Sequence, residues 1–171
     1  MAPFLALQLS PGSYVNGGRW MENTYPVSLV IGVENGRATL SLGLFEGFYL
    51  YDAKWWPRTV SSSYRTLSIT LSHRWKGYDP FASLVIAKPV VVGVEDERLR
   101  EFNSSIRGTT YGIRLGIGRT FKNGILRLNP VIGTSYYPHL PVYEYDGRSV
   151  YAVEVLRYAS LFVGMRVGVG F

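Results

Sequence analysis

The sequence predicts an all-β fold, an eight-stranded antiparallel up-and-down β-barrel that occupies residues 1–171 as a single domain. Three observations predict this fold. Apolar residues alternate with polar residues or glycine, two Asn-Gly dipeptides interrupt the alternation, and short turns alternate with long polar connections. Helical periodicity is nearly absent, and the longest apolar stretch, from Ala82 to Val94, is shorter than the ~20 residues that a membrane-spanning helix needs.

Eight segments show the alternation of a strand with one apolar face. In the first segment, Leu5, Leu7 and Leu9 share that face. In the last, every odd position from Leu161 to Phe171 is apolar, whereas the even positions are mostly glycine or polar. The fifth segment alternates less regularly. The eight predicted strands are residues 3–10, 25–34, 37–50, 63–75, 81–93, 107–121, 125–137 and 151–171.

The connections between these segments alternate in length. Asn35-Gly36 and Asn123-Gly124 suit the positive φ angles of a two-residue type I′ hairpin turn. Pairing across the first turn sets Glu34 opposite Arg37, and both strands then present their apolar residues on the same face. A third short turn lies at Lys76–Pro80. The connections after the first, third, fifth and seventh strands are each about a dozen residues long, polar and rich in tyrosine. Short turns at one end and long connections at the other predict an up-and-down meander that can close on itself.

The composition excludes several other classes of protein. Hydrophobic residues make up 47% of the chain, which excludes a disordered protein. The chain has no cysteine and therefore neither a disulfide framework nor a thiolate metal centre. Charged residues account for 18% of the chain, below the roughly 25% of soluble domains. The net charge is +6, and fourteen of the eighteen basic residues are arginine.

The polar side chains of the predicted strands indicate whether the apolar residues of the barrel point inward or outward. They include five arginines and one carboxylate, Glu34, and burying these groups in a dry core would be prohibitively unfavourable. A hydrated lumen tolerates them, so the sequence predicts a transmembrane β-barrel whose apolar face contacts lipid. The predicted polar network of the lumen is Glu34, Arg37, Arg74, Arg114, Arg127 and Arg166.

Aromatic residues cluster near both ends of the predicted strands, as in the interfacial belts of transmembrane barrels. At the short-turn end they are Phe4, Trp75, Tyr78, Phe81, Phe121 and Phe171. At the long-connection end they are Tyr25, Phe48, Tyr49, Tyr51, Tyr111, Tyr136, Tyr137 and Tyr158.

This pattern resembles the small eight-stranded outer-membrane barrels of Gram-negative bacteria, the OmpA- and OmpX-like class. The resemblance covers essentially the whole chain and is one of pattern rather than of a family-specific motif. Its sharpest element is the C-terminal strand, which is similar to the signal that the barrel-assembly machinery recognises. The resemblance implies an assembly signal in Val167, Val169 and Phe171, short periplasmic turns, four long external loops and a location in the bacterial outer membrane.

The function implied by the resemblance is that of an integral outer-membrane protein with a structural or surface-interaction role, adhesin-like or lipopolysaccharide-contacting, through its external loops. We expect a monomer whose partners are membrane lipids, lipopolysaccharide and the barrel-assembly machinery. We also expect Met1 to replace a removed leader. The basic residues placed to contact lipopolysaccharide phosphates are Arg19, Lys54, Arg58, Arg65, Arg107 and Arg157.

A lipid A-modifying enzyme, an acyltransferase or a deacylase, is the alternative function. His139 is the candidate catalytic base, because Pro138 and Pro141 stiffen its loop. The His-x-Ser pair of the deacylase class does not occur in the sequence. Pro89 and Pro130 fall inside predicted strands, where they mark either bulges or, as in the palmitoyl transferase class, lateral gates for lipid.

A narrow pore and a soluble ligand-binding barrel are also compatible with parts of the sequence. A ring of lumen arginines suits a narrow anion pore, although eight strands leave little diameter. Gly18-Arg19-Trp20 is similar to the Gly-x-Trp motif of lipocalins, which are soluble ligand-binding barrels with the opposite facing. The sequence has no metal-ligand cluster, no phosphate-binding loop and no continuous basic face. We therefore expect no metal, no cofactor and no nucleic-acid partner.

Overall fold

The computed structural model of the chain describes residues 1–9, 13–16, 19–23, 27–52, 60–90, 108–145 and 150–171. Over these residues the protein is all-β, as predicted, with eleven strands and no helix. The strands are β1 (Ala2–Leu9), β2 (Ser13–Asn16), β3 (Arg19–Asn23), β4 (Val27–Asn35), β5 (Ala38–Asp52), β6 (Val60–His73), β7 (Asp79–Val90), β8 (Thr110–Gly118), β9 (Phe121–Asn123), β10 (Leu126–Tyr145) and β11 (Val150–Gly170).

Eight of these strands pair into a closed antiparallel ring. Their order is β1-β4-β5-β6-β7-β8-β10-β11, and β11 pairs with β1 to complete the circuit. A closed ring leaves these strands without a free edge along their paired length. The β2–β3 hairpin adds to β5, and β9 adds to β10. The predicted antiparallel order is confirmed, and a hairpin occupies part of the first long connection.

The Asn-Gly hairpins turn one residue later than predicted. Asn35 pairs with Ala38, so the two loop residues are Gly36 and Arg37, and the predicted pairing of Glu34 with Arg37 is wrong. Gly36 has a φ of 59°, and it is the only loop residue of this turn with a positive φ. That is the pattern of a type II′ turn, which takes glycine at its first central position. The second Asn-Gly hairpin turns in the same way. Because the register shift is even, each strand keeps its predicted apolar face.

Six predicted strands match the observed bounds to within about three residues, and the other two differ more. The strand predicted at 107–121 is interrupted between β8 and β9. The strand predicted at 125–137 continues to Tyr145, through Pro138 and Pro141. Both prolines lie beyond the last β10 residue that pairs with β8, where no ladder hydrogen bond is needed on that side.

Among the described residues, the alternation of faces holds around the ring except at two register shifts, one in β5 and one in β10 between Tyr137 and Leu140, where the buried positions change from odd to even numbers. Predicted apolar positions such as Leu7 and Ile113 are half-exposed on the outside, and the polar positions beside them are buried inside. In β5 the register shifts between Gly43 and Glu46, and Phe45 has a φ of 60°. This bulge turns Glu46 inward, although simple alternation places it outside.

Aromatic and apolar side chains fill the inside of the ring at both ends. At the short-turn end Phe4 packs with Ala6 and Val30. At the opposite end Phe48 stacks on Tyr64, with ring centroids 4.8 Å apart. The cluster at that end, which we name the apolar plug, consists of Phe48, Tyr64, Val85, Ala87, Tyr137, Leu140, Val142 and Tyr158.

Several aromatic residues predicted in the outer belts therefore lie inside the ring. The position of a residue along a strand sets the height of its side chain in the ring, whereas odd or even numbering decides whether it points inward or outward. Phe4, for example, shares its parity with buried Gln8. The belt residues that are exposed outside are Trp75, Tyr78, Tyr111, Phe121, Tyr136 and Phe171. Those inside are Phe4, Phe48, Phe81, Tyr137 and Tyr158. Tyr25 lies outside the described residues, and Tyr49 and Tyr51 belong to β5.

Candidate functional site: the charged interior and the apolar exterior

Glu34 anchors the first of three ionic groups inside the ring. The inward face of β4 ends at this residue, whose side chain is buried. Lys122 Nζ donates to Glu34 Oε1 at 2.7 Å, and the guanidinium of Arg127 donates to Glu34 Oε2. The Arg127 guanidinium also lies 4.8 Å from the centroid of the Phe4 ring. One carboxylate thus bridges two cations, which come from β9 and β10, and the group keeps a net positive charge.

Asp79 anchors the second group. Arg74 Nε donates to Asp79 Oδ1 at 3.0 Å. Thr120 donates to Oδ2 through its backbone N–H at 2.7 Å and its hydroxyl at 2.6 Å. Thr120 lies in the interruption between β8 and β9, where its N–H is free of the ladder. Asn129 Nδ2 completes the group at 3.4 Å from Oδ2, so Asp79 is stabilised by a charge and by three further donors.

Glu46 and Arg114 form the third group, deeper inside the ring. Arg114 Nη1 lies 3.2 Å and 3.5 Å from the two carboxylate oxygens of Glu46, and Arg114 Nε donates to Ser135 Oγ at 3.3 Å. The guanidinium lies 5.2 Å from the centroid of the Phe162 ring. Both side chains of the ion pair are largely buried. Removing one partner of such a buried ion pair strongly destabilises a protein, because the other charge then stays buried without compensation.

Arg166 differs from the other interior arginines. Its Nε donates to Gln8 Oε1 at 2.7 Å, and its guanidinium lies 5.6 Å from the Phe81 ring centroid. None of the carboxylates of Glu34, Glu46 and Asp79 lies within ion-pair distance of it, and these are the only acidic side chains that the structure describes. Arg166 is therefore a half-buried cation held by a neutral amide and an aromatic face.

A cavity of about 50 Å³ lies between the Glu34 group, the Asp79 group and Arg166, toward the short-turn end of the ring. Its walls include three arginines and two carboxylates. A site of this size holds a few water-sized species. The charged and amide side chains of its lining are Glu34, Arg74, Asp79, Arg127, Asn129 and Arg166.

The structure brings together most of the predicted lumen network and leaves out one member. Arg37 is exposed in its turn, because the hairpin turns one residue later than predicted. Three charged residues of the interior were missed. Lys122 and Asp79 were detectable from the sequence. If the strands predicted at 107–121 and 81–93 are extended to include them, the alternation of side chains places both on the inward face. Glu46 carried a weaker signal, the break in alternation that begins at Phe45.

The outside of the ring has the opposite character. Among the described residues, 30 large hydrophobic side chains are exposed. Inside, 14 of the residues that the structure describes are buried polar or charged ones, against 13 buried hydrophobic ones. Neighbouring strands place the exposed side chains beside one another, for example Leu115 next to Ala82 on β7. Together they form a continuous apolar belt around the ring.

The residues expected to contact lipopolysaccharide are only partly described. Arg65 and Arg157 are exposed near the long-connection end. Arg19 belongs to β3, and Lys54, Arg58 and Arg107 lie outside the described residues.

The residues of the expected assembly signal close the ring. Val167 pairs with Leu7 and Val169 with Leu5 of β1. The backbone N–H of Phe171 donates to the carbonyl of Pro3 at 2.9 Å, and the Phe171 side chain is exposed.

The residues that suggested catalysis lie in paired strands. His139 is exposed in β10, and its backbone carbonyl accepts a hydrogen bond from the Thr110 hydroxyl. Pro89 pairs with Tyr64 and Pro130 with Met165, so the β-ladder continues past both prolines. The described part of the chain has no group of three or more His, Asp or Glu residues suited to hold a metal ion.

Comparisons with known proteins do not assign the chain to a family. No protein-family model matches it, and no curated protein is significantly similar to it. The described residues contain no helix that is long and apolar enough to cross a membrane.

Proposed function

We propose that this protein is an integral outer-membrane β-barrel with a structural and surface-interaction role, whose ring spans the bilayer as a closed, non-conducting scaffold. Its short turns would lie on the periplasmic side, and its long connections would contact lipopolysaccharide and other surface partners. The proposal concerns a monomer that acts without a cofactor.

The observation that carries the proposal is the inverted polarity of the ring. A monomeric protein in water rarely exposes an apolar patch above roughly 300–600 Å². The apolar belt surrounds the whole ring, whereas the buried interior contains more polar than hydrophobic residues. Exposed apolar surface costs about 25 cal/mol per Å² in water and is favourable in lipid. A bilayer is the environment in which this arrangement is stable.

The interior supports a scaffold better than a pore. The apolar plug fills the long-connection end, and the Glu46–Arg114 pair crosses the ring between β5 and β8. Eight strands enclose a space that side chains can fill.

The contact with lipopolysaccharide is supported by an exposed pair of cations. Arg65 on β6 and Lys88 on β7 are direct register partners, and both are exposed. Like charges directly opposite each other destabilise a sheet. All acidic side chains that the structure describes point inward, so none of them compensates this pair. A phosphate group of the outer leaflet would relieve the repulsion.

Membrane insertion is tested by refolding the full chain in detergent and in phospholipid vesicles. We expect a species that migrates differently on gels before and after boiling and that forms only with detergent or lipid. A chain that folds equally well in buffer alone would contradict the proposal.

The surface role is tested by binding of purified lipopolysaccharide to the refolded protein. The variant R65E/K88E should bind more weakly than the wild type. The matched control is R37E, an exposed arginine at the opposite end of the ring. An equal loss of lipopolysaccharide binding in both variants, or no loss in either, would refute the assignment of Arg65 and Lys88 as a contact for lipopolysaccharide.

A further inference from the structure

We propose that the interior of the ring contains a binding site for a small inorganic monoanion of about halide size, in the cavity beside Arg166. The site rests on the interior geometry alone and does not depend on membrane insertion or on the surface role.

The first argument is the balance of charge around the cavity. Its walls contain Arg74, Arg127 and Arg166 but only two carboxylates, Glu34 and Asp79. The ion pairs match these carboxylates to the first two arginines. Lys122 adds a further cation to the Glu34 group. The lining of the cavity therefore has an excess of positive charge, and Arg166 is its one arginine that forms no ion pair with a described carboxylate.

The second argument is the set of hydrogen-bond donors at Arg166. A guanidinium has five N–H groups in a fixed plane. Arg166 uses Nε for Gln8, and no described carboxylate lies within ion-pair distance of its two terminal nitrogens. Its guanidinium lies beside the ring of Phe81, and both residues line the cavity. Buried charges are normally paired, so donors of this kind favour an anion.

The third argument concerns the size of the cavity. The cavity of about 50 Å³ exceeds the roughly 10–15 Å³ that one water-sized species requires. A halide with one or two waters fits in this volume. The walls select a small monoanion by size and by charge.

Bromide is the probe for a direct test, because its anomalous scattering locates it in crystals of the refolded protein. We expect a bromide peak inside the ring next to Arg166 in the wild type. Bromide bound only on the outer surface, or only water in the cavity, would overturn the proposal.

A second test measures unfolding of the refolded protein at constant ionic strength, with chloride replacing the bulky anion gluconate. Chloride at ten times its dissociation constant should raise the folding equilibrium constant about elevenfold. The variant R166Q should lose this chloride dependence, whereas the control R119Q, an exposed arginine outside the cavity, should keep it. If R166Q does not fold, R166K serves as the conservative variant. A wild type that is indifferent to the exchange of anions would refute the site.

Discussion

Replacing Leu115 by arginine tests whether the outward face of the ring contacts lipid. Leu115 lies in the middle of β8 with 51% of its surface exposed. On a surface that faces water, such a change alters stability by no more than about 0.5 kcal/mol. At the middle of a bilayer, an outward arginine costs about 2–4 kcal/mol. The two environments therefore predict results that differ well beyond experimental error.

The assay is urea unfolding of the refolded chain in phospholipid vesicles, followed by tryptophan fluorescence. In lipid, L115R should lower the folding equilibrium constant by about thirtyfold to several hundredfold. The control is I125R, because Ile125 is 65% exposed but lies at a turn, where the cost near an interface is about 0–1 kcal/mol. Equal and small effects of both variants would refute the reasoning that the belt faces lipid.

Three further predictions concern the interior and use the same unfolding assay. E46Q should cost about 3–5 kcal/mol, because it leaves Arg114 buried without its carboxylate, and the double variant E46Q/R114Q should cost less than the sum of the single changes. G112A should cost about 1–3 kcal/mol, because an added Cβ would lie 2.5 Å from a ring carbon of Tyr137; a neutral effect would show that this ring is free to move. F48A should cost about 3–5 kcal/mol by opening a cavity in the apolar plug, and a loss below 1 kcal/mol would show that the plug is not packed.

The alternation of side chains made most of the ring predictable. A period of two residues assigns each side chain to a face whatever the register, so an error of two residues at the Asn-Gly hairpins left both faces correct. The same error still misplaced Arg37, because the residue moved from the strand into the turn. Turn type depends on the backbone angles of two residues, and Asn-Gly is compatible with more than one.

Features that break the alternation were not predictable in the same way. The bulge at Phe45 places a non-glycine residue at positive φ, for which the sequence has no local preference. The apolar plug also escaped prediction, because an aromatic residue near a strand end suits an interfacial belt and a closed interior equally well. The ion pair between Glu46 and Arg114 joins residues 68 positions apart, and only the closed ring brings them together.

Closure of the ring by β1 and β11 also determines when the fold can be completed. Phe4 pairs with Gly170, so the last pairing joins the two ends of the chain. Contacts between such distant positions form slowly, because the entropy of the whole intervening chain opposes them. Until β11 is available, its two partners β1 and β10 each keep an unpaired edge, and these edges can pair with other chains. A chain that stops before Val163 would lack every β11 partner of β1, so the nascent protein needs protection from aggregation for as long as its C-terminal strand is missing.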